Sequence, residues 1–304
     1  MGNMFTLAKS IHKPSIWLLL FLLFAAACSN QPTPEAVETP TFEVPTSTVP
    51  PVQPTPTLEP AAAVVNGERI PLTLFEREID RYRIAQEASG QPEEAIEDVR
   101  NTVLDELIDQ TLLAQGAREA GVTISDADVT EKINTLADDV DLAAWMADWG
   151  YTEDELFAAL KTQMLAAAQR DLIVQTVPEI VEQVEIRQVF AYTEAGASRA
   201  RVSLNSGTPF DDVSFLYQPE TGGYLGWVPR GYLLIPAVEE TAFQLPVGAV
   251  SEIIESEIGY HILKILDRGE RPLTSDARLT LQRQALETYL SDQREKSAIE
   301  VLVD

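Results

Sequence analysis

Residues 222–265 read GGYLGWVPRGYLLIPAVEETAFQLPVGAVSEIIESEIGYHILKI, and this stretch decides the fold of the C-terminal part of the chain. Gly-rich turns at Gly222-Gly223 and Gly226 come before a short helix pattern that begins at Pro236. A Pro-Val-Gly turn and two β-rich runs follow, and the second run contains GYHI at 259–262. The alternation of turns, one short helix and strands predicts a small α+β unit.

The stretch resembles the parvulin family of peptidyl-prolyl isomerases, whose C-terminal half has the form GGdLGw followed by mvpefeeaaF and fGyHiikv. The resemblance implies a parvulin-like domain at 184–270, with a small antiparallel sheet flanked by helices. It also implies an activity, the cis–trans isomerisation of X-Pro peptide bonds, and it implies neither a metal nor a cofactor.

The resemblance assigns roles to individual residues. His261 matches the second of two family histidines, Ser256 takes the position of the accompanying hydroxyl, and Gln188 stands where the first histidine is usual. The apolar positions of the family's proline pocket are occupied by Leu225, Leu234, Val238 and Phe243. Considered without the family, His261 is equally well explained as a core histidine with its hydrogen bonds satisfied, and Leu225 and Phe243 as ordinary core residues.

The chemistry of X-Pro isomerisation suits a chain with few reactive groups. The barrier of ~18–20 kcal/mol is lowered by gripping the prolyl ring and favouring the twisted amide, so no nucleophile is needed. The chain has two histidines, His12 and His261, and one cysteine, Cys28. A Ser-His-Asp relay or a zinc site is therefore not expected.

The region 61–183 has a helical pattern after a short strand pair. Asn66-Gly67 predicts a tight turn, and apolar spacing predicts helices over 72–88 and 93–120. Ser125 with Asp128, and Thr152 with Glu155, predict two more helix starts, the second helix running to about 176. Trp145 and Trp149 lie one turn apart and fit core anchors better than a ligand cage.

This region also carries a resemblance. VVNGERIPLTLFEREIDR, followed by VLDELIDQTLLAQGAREAGVTISDADV, resembles the N-terminal chaperone module of SurA-like and PrsA-like foldases. The resemblance implies that 271–304, amphipathic from Thr274 to Ile299, is a helix that returns to pack on this module. The fold class expected is therefore α+β, a helical chaperone module with an inserted parvulin domain.

The first sixty residues predict an export signal and a spacer. Residues 1–28 contain Lys9, Lys13 and an apolar run over 16–27, too short to span a bilayer. The run ends in a segment that resembles a bacterial lipobox with Cys28 as the lipidated residue; a plain signal peptide cut after an A-x-A site is the alternative. Residues 29–60 are rich in proline and threonine and predict a disordered tether.

These observations favour a lipid-anchored, extracytoplasmic peptidyl-prolyl isomerase with chaperone activity on secreted polypeptides. The net charge of −26 argues against nucleic acid as a partner. The helical arm allows a homodimer, although no pattern decides the oligomeric state. Two other interpretations stay open: a client-holding parvulin-fold chaperone with little turnover, favoured by Gln188 and the short loop before Gly222, and a structural or solute-binding lipoprotein.

Overall fold

The computed structural model describes residues 59–90 and 94–303. The predicted signal segment 1–28, its lipidation residue Cys28 and nearly all of the tether 29–60 lie outside the described residues. The chain divides into two compact units. Among the described residues, one unit contains those up to Thr111, Ile124–Thr162 and 298–303, and the other contains Leu112–Thr123 and Gln163–Ser297.

A three-stranded sheet lies in the first unit. Strands β1 (Ala61–Val65) and β2 (Glu68–Pro71) form the predicted hairpin, and β7 (Ile299–Val301) pairs antiparallel with the other edge of β1. The turn residue Asn66 has a φ of 51° and accepts a hydrogen bond from the backbone N–H of Ala298 on its side-chain oxygen, at 3.0 Å. The sequence predicts a C-terminal helix within 271–304 that is amphipathic as far as Ile299, whereas Ile299–Val301 form a strand. The apolar–polar–apolar alternation of these three residues suits a strand.

Five helices build the helical region; three of them begin where the sequence predicts, and the second begins at Ile96 rather than at residue 93. They are α1 (Leu72–Ala88), α2 (Ile96–Glu119), α3 (Asp126–Asp139), α4 (Leu142–Asp148) and α5 (Glu153–Gln175). Ser125 and Asp128 form a full capping box, with the Ser125 backbone N–H 2.7 Å from the carboxylate. Thr152 and Glu155 bond reciprocally in the same way before α5. These caps satisfy amide groups that a helix start leaves without intrahelical partners.

An arginine on α1 organises the first unit's polar interior. Arg81 donates to the carbonyls of Trp149 and Gly150, both at 3.1 Å, and its guanidinium lies 3.4 Å from the centroid of the Tyr151 ring. It also pairs with Glu78 at 2.6 Å, and its side chain is only 4% exposed. We call this set the Arg81 cluster; Glu155 joins it at 3.6 Å. The cluster ties α1 to the segment between α4 and α5.

The aromatic rings predicted as anchors belong to the same neighbourhood. Trp145 stacks on Tyr151 with ring centroids 5.3 Å apart and lies 6.2 Å from Trp149. Both tryptophans are half-buried. Because the rings contact one another beside Arg81, the arrangement favours the interpretation of the two tryptophans as packing anchors.

A four-stranded antiparallel sheet forms the centre of the second unit. Its strand order is β4-β3-β6-β5, with β3 (Ile180–Ala191) and β6 (Gly259–Pro272) as the long central pair. The edge strands are β4 (Tyr224–Pro229) and β5 (Ile254–Ser256). The predicted α+β class, with a small antiparallel sheet beside helices, is confirmed.

Helices cover both faces of this sheet. They are α6 (Glu194–Asn205) and α7 (Phe210–Tyr217) on one face and α8 (Pro236–Gln244) on the other. The first face buries Val189 and Ile262 with Ala200 of α6 and Phe210 of α7. The opposite face, which we call the α8 face, has a cluster made of Val184, Ile186, Val228, Val238, Ala242, Phe243, Leu263 and Ile265.

The last helix, α9 (Ser275–Lys296), packs within the second unit. Its residues Ala285, Leu286, Tyr289 and Leu290 lie against a buried cluster made of Leu113, Ala166 and Ile173. The close fit is visible at Gly116 of α2, where an added Cβ would lie 2.0 Å from the Tyr289 hydroxyl oxygen. The helix α9 follows the β3–β6 sheet in the sequence, and it packs on parts of α2 and α5, which come before that sheet. The domain boundaries expected from the sequence remain predictions.

Candidate active site

Two neighbouring strands bring the predicted polar residues together. On β3 and β6, Gln188 pairs with Leu263 and Phe190 pairs with His261. Because side chains alternate across a strand, Gln188 lies on the same face as Ile186, and His261 lies on the same face as Leu263. Both polar residues therefore occupy the α8 face, next to its apolar cluster.

A chain of hydrogen bonds joins the three residues assigned to catalysis. His261 Nδ1 lies 3.1 Å from Gln188 Oε1, and His261 Nε2 lies 2.9 Å from Ser256 Oγ. Ser256 Oγ also lies 3.0 Å from the carbonyl oxygen of Gly259. The structure thus brings Gln188, His261 and Ser256 into one connected group, which we call the His261 network.

The His261 network allows two proton arrangements. When the Ser256 hydroxyl donates to Nε2, the N–H of Nδ1 donates to Gln188 Oε1. When Ser256 donates to Gly259, the N–H of Nε2 donates to Ser256, and Nδ1 accepts from the Gln188 amide once that amide has turned over. Both arrangements are complete because a serine hydroxyl and a glutamine amide can each donate and accept.

Burial keeps the His261 ring neutral. The residue is 3% exposed, and burial lowers the pKa of its imidazole from the usual 6.5. Its ring also lies 5.0 Å from the Phe190 ring, centroid to centroid. None of these bonded or stacked partners is charged, so they provide no carboxylate that would favour an imidazolium.

The glycine pair before β4 fixes the position of Gln188. Gly223 has a φ of +68°, and a Cβ there would lie 1.9 Å from the backbone oxygen of Gln188. The backbone N–H of Gln188 donates to the carbonyl of Gly223 at 2.8 Å. Only a residue without a side chain allows this approach, which is why the sequence has glycine here.

The four residues assigned to the proline pocket do not share one environment. Val238 and Phe243 are each 3% exposed and belong to the cluster on the α8 face. Leu225 on β4 is 37% exposed, and Leu234 is 94% exposed and outside that cluster. The neighbouring Leu233 packs against the cluster instead. The assignment of a pocket wall to Leu234 remains a prediction, whereas Tyr232, Leu233 and Ile235 of the same loop pack against the cluster that contains Val238.

The sequence alone did not reveal the role of Arg230. Its guanidinium lies 4.2 Å from the centroid of the Phe243 ring, at the start of the loop that carries Leu233 and Leu234. Arg268 donates to the carbonyls of Phe243 and Leu245, at 2.9 and 2.8 Å, and so closes the C-terminal end of α8. Both arginines lie more than ten residues from Phe243 in the sequence. No short-range sequence pattern predicts contacts over such separations.

Comparison with known families identifies both parts of the chain. Residues 55–163 match the family described as SurA-like N-terminal domain, and residues 211–267 match the PPIC-type PPIASE domain. The chain thus combines a segment similar to SurA-like N-terminal domains with a segment similar to PPIC-type isomerase domains. The resemblance to SurA-like and PrsA-like foldases is thereby confirmed, and the PPIC-type domain supports peptidyl-prolyl cis–trans isomerase activity.

Relatives with both names are similar to this chain. Foldase protein PrsA of Caldanaerobacter subterraneus subsp. tengcongensis is 26% identical over 234 residues, which cover 66% of this chain and 72% of that protein. Foldase protein PrsA of Bacillus subtilis is 24% identical over 203 residues, covering 63% and 67%. Chaperone SurA of Alcanivorax borkumensis is 26% identical over 129 residues, covering 40% of this chain and 29% of that protein.

The chain is also similar to a solved structure. The crystal structure of the peptidylprolyl isomerase PrsA from Bacillus cereus covers 76% of this chain and 86% of its own, at 21% identity and a TM-score of 0.44. Among the described residues, no helix is both long and apolar enough to cross a membrane.

Proposed function

We propose that the chain is a peptidyl-prolyl isomerase and chaperone that acts on secreted polypeptides while anchored by lipid outside the cytoplasmic membrane. The observation that carries the isomerase part is the His261 network on the α8 face of a PPIC-type domain. Three polar side chains are held there by one another beside an apolar cluster. That combination suits a prolyl ring and the amide bond before it.

Isomerisation of an X-Pro bond requires the enzyme to bind the twisted amide and requires no covalent bond to be made or broken. Twisting the X-Pro amide removes its resonance, so the carbonyl oxygen loses negative charge and the bond becomes less polar. A neutral, poorly hydrated surface therefore favours the twisted amide over the planar one. Lowering the barrier by about 4 kcal/mol accelerates the reaction about 10³-fold.

Each member of the His261 network has a defined part in this scheme. Neutral His261 presents a rigid ring without a formal charge, since burial lowers its pKa. Ser256 and Gln188 hold both ring nitrogens and can exchange donor and acceptor roles as the substrate amide rotates. No proton has to leave the network at any stage. Activity should therefore be flat with pH above about 6.5, where the imidazole is neutral.

An assay on a short X-Pro peptide tests the isomerase. His261→Ala should lower kcat/KM by at least about tenfold, because removing one positioned polar group typically costs 10²-fold or more where charge changes strongly. The control is Val202→Ala on α6, which changes an exposed side chain on a helix that covers the other face. Equal rates for the wild type and buffer would reject the isomerase.

A second candidate function is client holding with little turnover. Gln188 replaces a family histidine, and Val238 and Phe243 are 3% exposed, so they are committed to the core. Gln188→His separates the two functions. If the variant creates activity that the wild type lacks, and the wild type still suppresses client aggregation, the chain is a holdase.

The anchor requires its own experiment because Cys28 lies outside the described residues. The full-length chain produced in a bacterium should partition into the detergent phase, and Cys28→Ala should partition into the aqueous phase. A wild type that stays aqueous would leave the plain signal peptide as the explanation of the apolar run at 16–27.

A further inference from the structure

The loop 230–235 joins β4 to α8 and places apolar side chains against the cluster of the α8 face. Arg230 lies over Phe243, Leu233 packs on the cluster of the α8 face, and Leu234 is exposed. Under the proposed function, this loop forms part of the surface that meets the prolyl ring. Its position should therefore set how well substrate binds.

The loop is held from one side by its own domain. The Glu239 carboxylate on α8 accepts hydrogen bonds from the backbone N–H of Gly231, at 2.9 Å, and of Leu233, at 3.1 Å. A carboxylate that accepts two backbone bonds fixes both peptide planes. This contact is internal to the segment that matches the PPIC-type domain.

The loop is held from the other side by α9, which lies beyond residues 211–267 of the domain match. Gln284 donates its side-chain amide to the carbonyl of Gly231, and the Tyr232 hydroxyl donates to the Asp276 carboxylate. Gly231 has a φ of +81°, and an added Cβ would lie 2.6 Å from Gln284 Oε1 and 3.1 Å from Leu281 Cδ2. The helix thus lies directly on the loop.

The residues of α9 that follow Gln284 pack on the helical part of the second unit. Ala285 and Leu286 follow Gln284 immediately, and with Tyr289 and Leu290 they pack on the cluster made of Leu113, Ala166 and Ile173. An α-helix is stiff over such short distances, so Gln284 cannot move without Ala285. The helical packing of α9 and the position of the loop are therefore mechanically linked.

We propose that α9 positions the substrate-facing loop 230–235, with Gln284 and Asp276 as positioning residues. The inference rests on the proposed isomerase function. It makes peptide affinity depend on a helix from outside the isomerase domain. The His261 network takes no part in these contacts, so loss of the clamp should weaken binding more than turnover.

The test uses the full chain with Gln284→Glu and Tyr232→Phe. Gln284→Glu keeps the length of the side chain but cannot donate to Gly231, and Tyr232→Phe removes one hydroxyl without threatening the fold. We expect each variant to raise KM for an X-Pro peptide by roughly three- to tenfold, with kcat within about twofold, because binding rather than turnover depends on the loop. The matched control is Arg283→Ala on α9, whose side chain is 58% exposed and faces Glu287.

Hydrogen exchange of the loop amides gives a readout that needs no activity. The amides of Tyr232 and Leu233 should exchange faster in both variants and not in the control. Unchanged KM and exchange in both folded variants would overturn the proposal, and so would a fall in kcat with unchanged KM. If the wild type shows no isomerase activity, the proposed function fails, while the exchange measurement still decides whether α9 holds the loop.

Discussion

The Arg81 cluster and the His261 network are both buried polar groups, yet their partners differ in kind. Arg81 carries a permanent charge; its N–H groups donate to carboxylates and carbonyls, and its guanidinium lies over the Tyr151 ring. His261 is neutral, and its partners Ser256 and Gln188 can each donate or accept. The first arrangement fixes one state, and the second permits two. Burial alone does not mark a functional residue, whereas a buried group with interchangeable partners is a candidate for one.

The largest expected effect is the loss of Arg81. Arg81→Ala leaves Glu78 without its cation and removes the donor to the carbonyls of Trp149 and Gly150, so the free energy of unfolding should fall by about 3–5 kcal/mol. Urea unfolding followed by the fluorescence of Trp145 and Trp149 measures it. Arg77→Ala is the control: Arg77 also pairs with Glu155, but its side chain is 46% exposed, and the loss should stay below about 1 kcal/mol. Similar losses for both variants would contradict a special role of the cluster.

A smaller effect is expected at the glycine that supports the His261 network. Gly223→Ala combines a left-handed φ with overlap on the Gln188 carbonyl, and should cost about 2–4 kcal/mol. Gly207→Ala is the matched control, because Gly207 has a φ of +92° and no heavy atom within 4 Å of an added Cβ. There the cost should be about 1–2 kcal/mol. If the two costs are the same, the close approach to Gln188 is not what requires the glycine.

The smallest expected effect is the pH dependence that comes from His261. Because burial lowers its pKa below 6.5, the unfolded chain takes up the proton first as the pH falls. The stability of the wild type relative to His261→Gln should be full above 6.5 and decrease as the pH falls through the lower, folded-state pKa. Urea unfolding of both proteins from about pH 8 to about pH 5 measures this difference. A difference that grows toward acid would mean that the folded state favours the imidazolium, against the neutral network.

Much of the fold could be predicted because its signals are local. The Asn66-Gly67 turn, the capping residues Ser125 and Thr152, and the Gly222-Gly223 pair each act within a few residues of the structure that they set. The apolar spacing of α1 gave the bounds Leu72–Ala88 directly. Such local structure can be predicted from a few neighbouring residues, without knowledge of the rest of the chain.

The contacts that escaped prediction join distant segments. The strand β7 needs β1 as its partner, more than two hundred residues earlier, so a run that is short and partly polar looks like the end of a helix. The exposure of Leu234 and the packing of Leu233 depend on Glu239 and Gln284, which hold the loop from two helices. The resemblance placed Gln188, His261 and Ser256 in one site, and their bonding pattern required the register of β3 and β6.

The pairing of β7 with β1 has a consequence for the time at which the protein matures. A ribosome makes Ala61–Val65 more than two hundred residues before Ile299–Val301, so the small sheet stays a two-stranded ribbon until β7 has been made. During that interval one edge of β1 offers free amides and carbonyls to any extended chain nearby. Until β7 emerges, the edge of β1 that it later covers is therefore open to pairing with another extended chain.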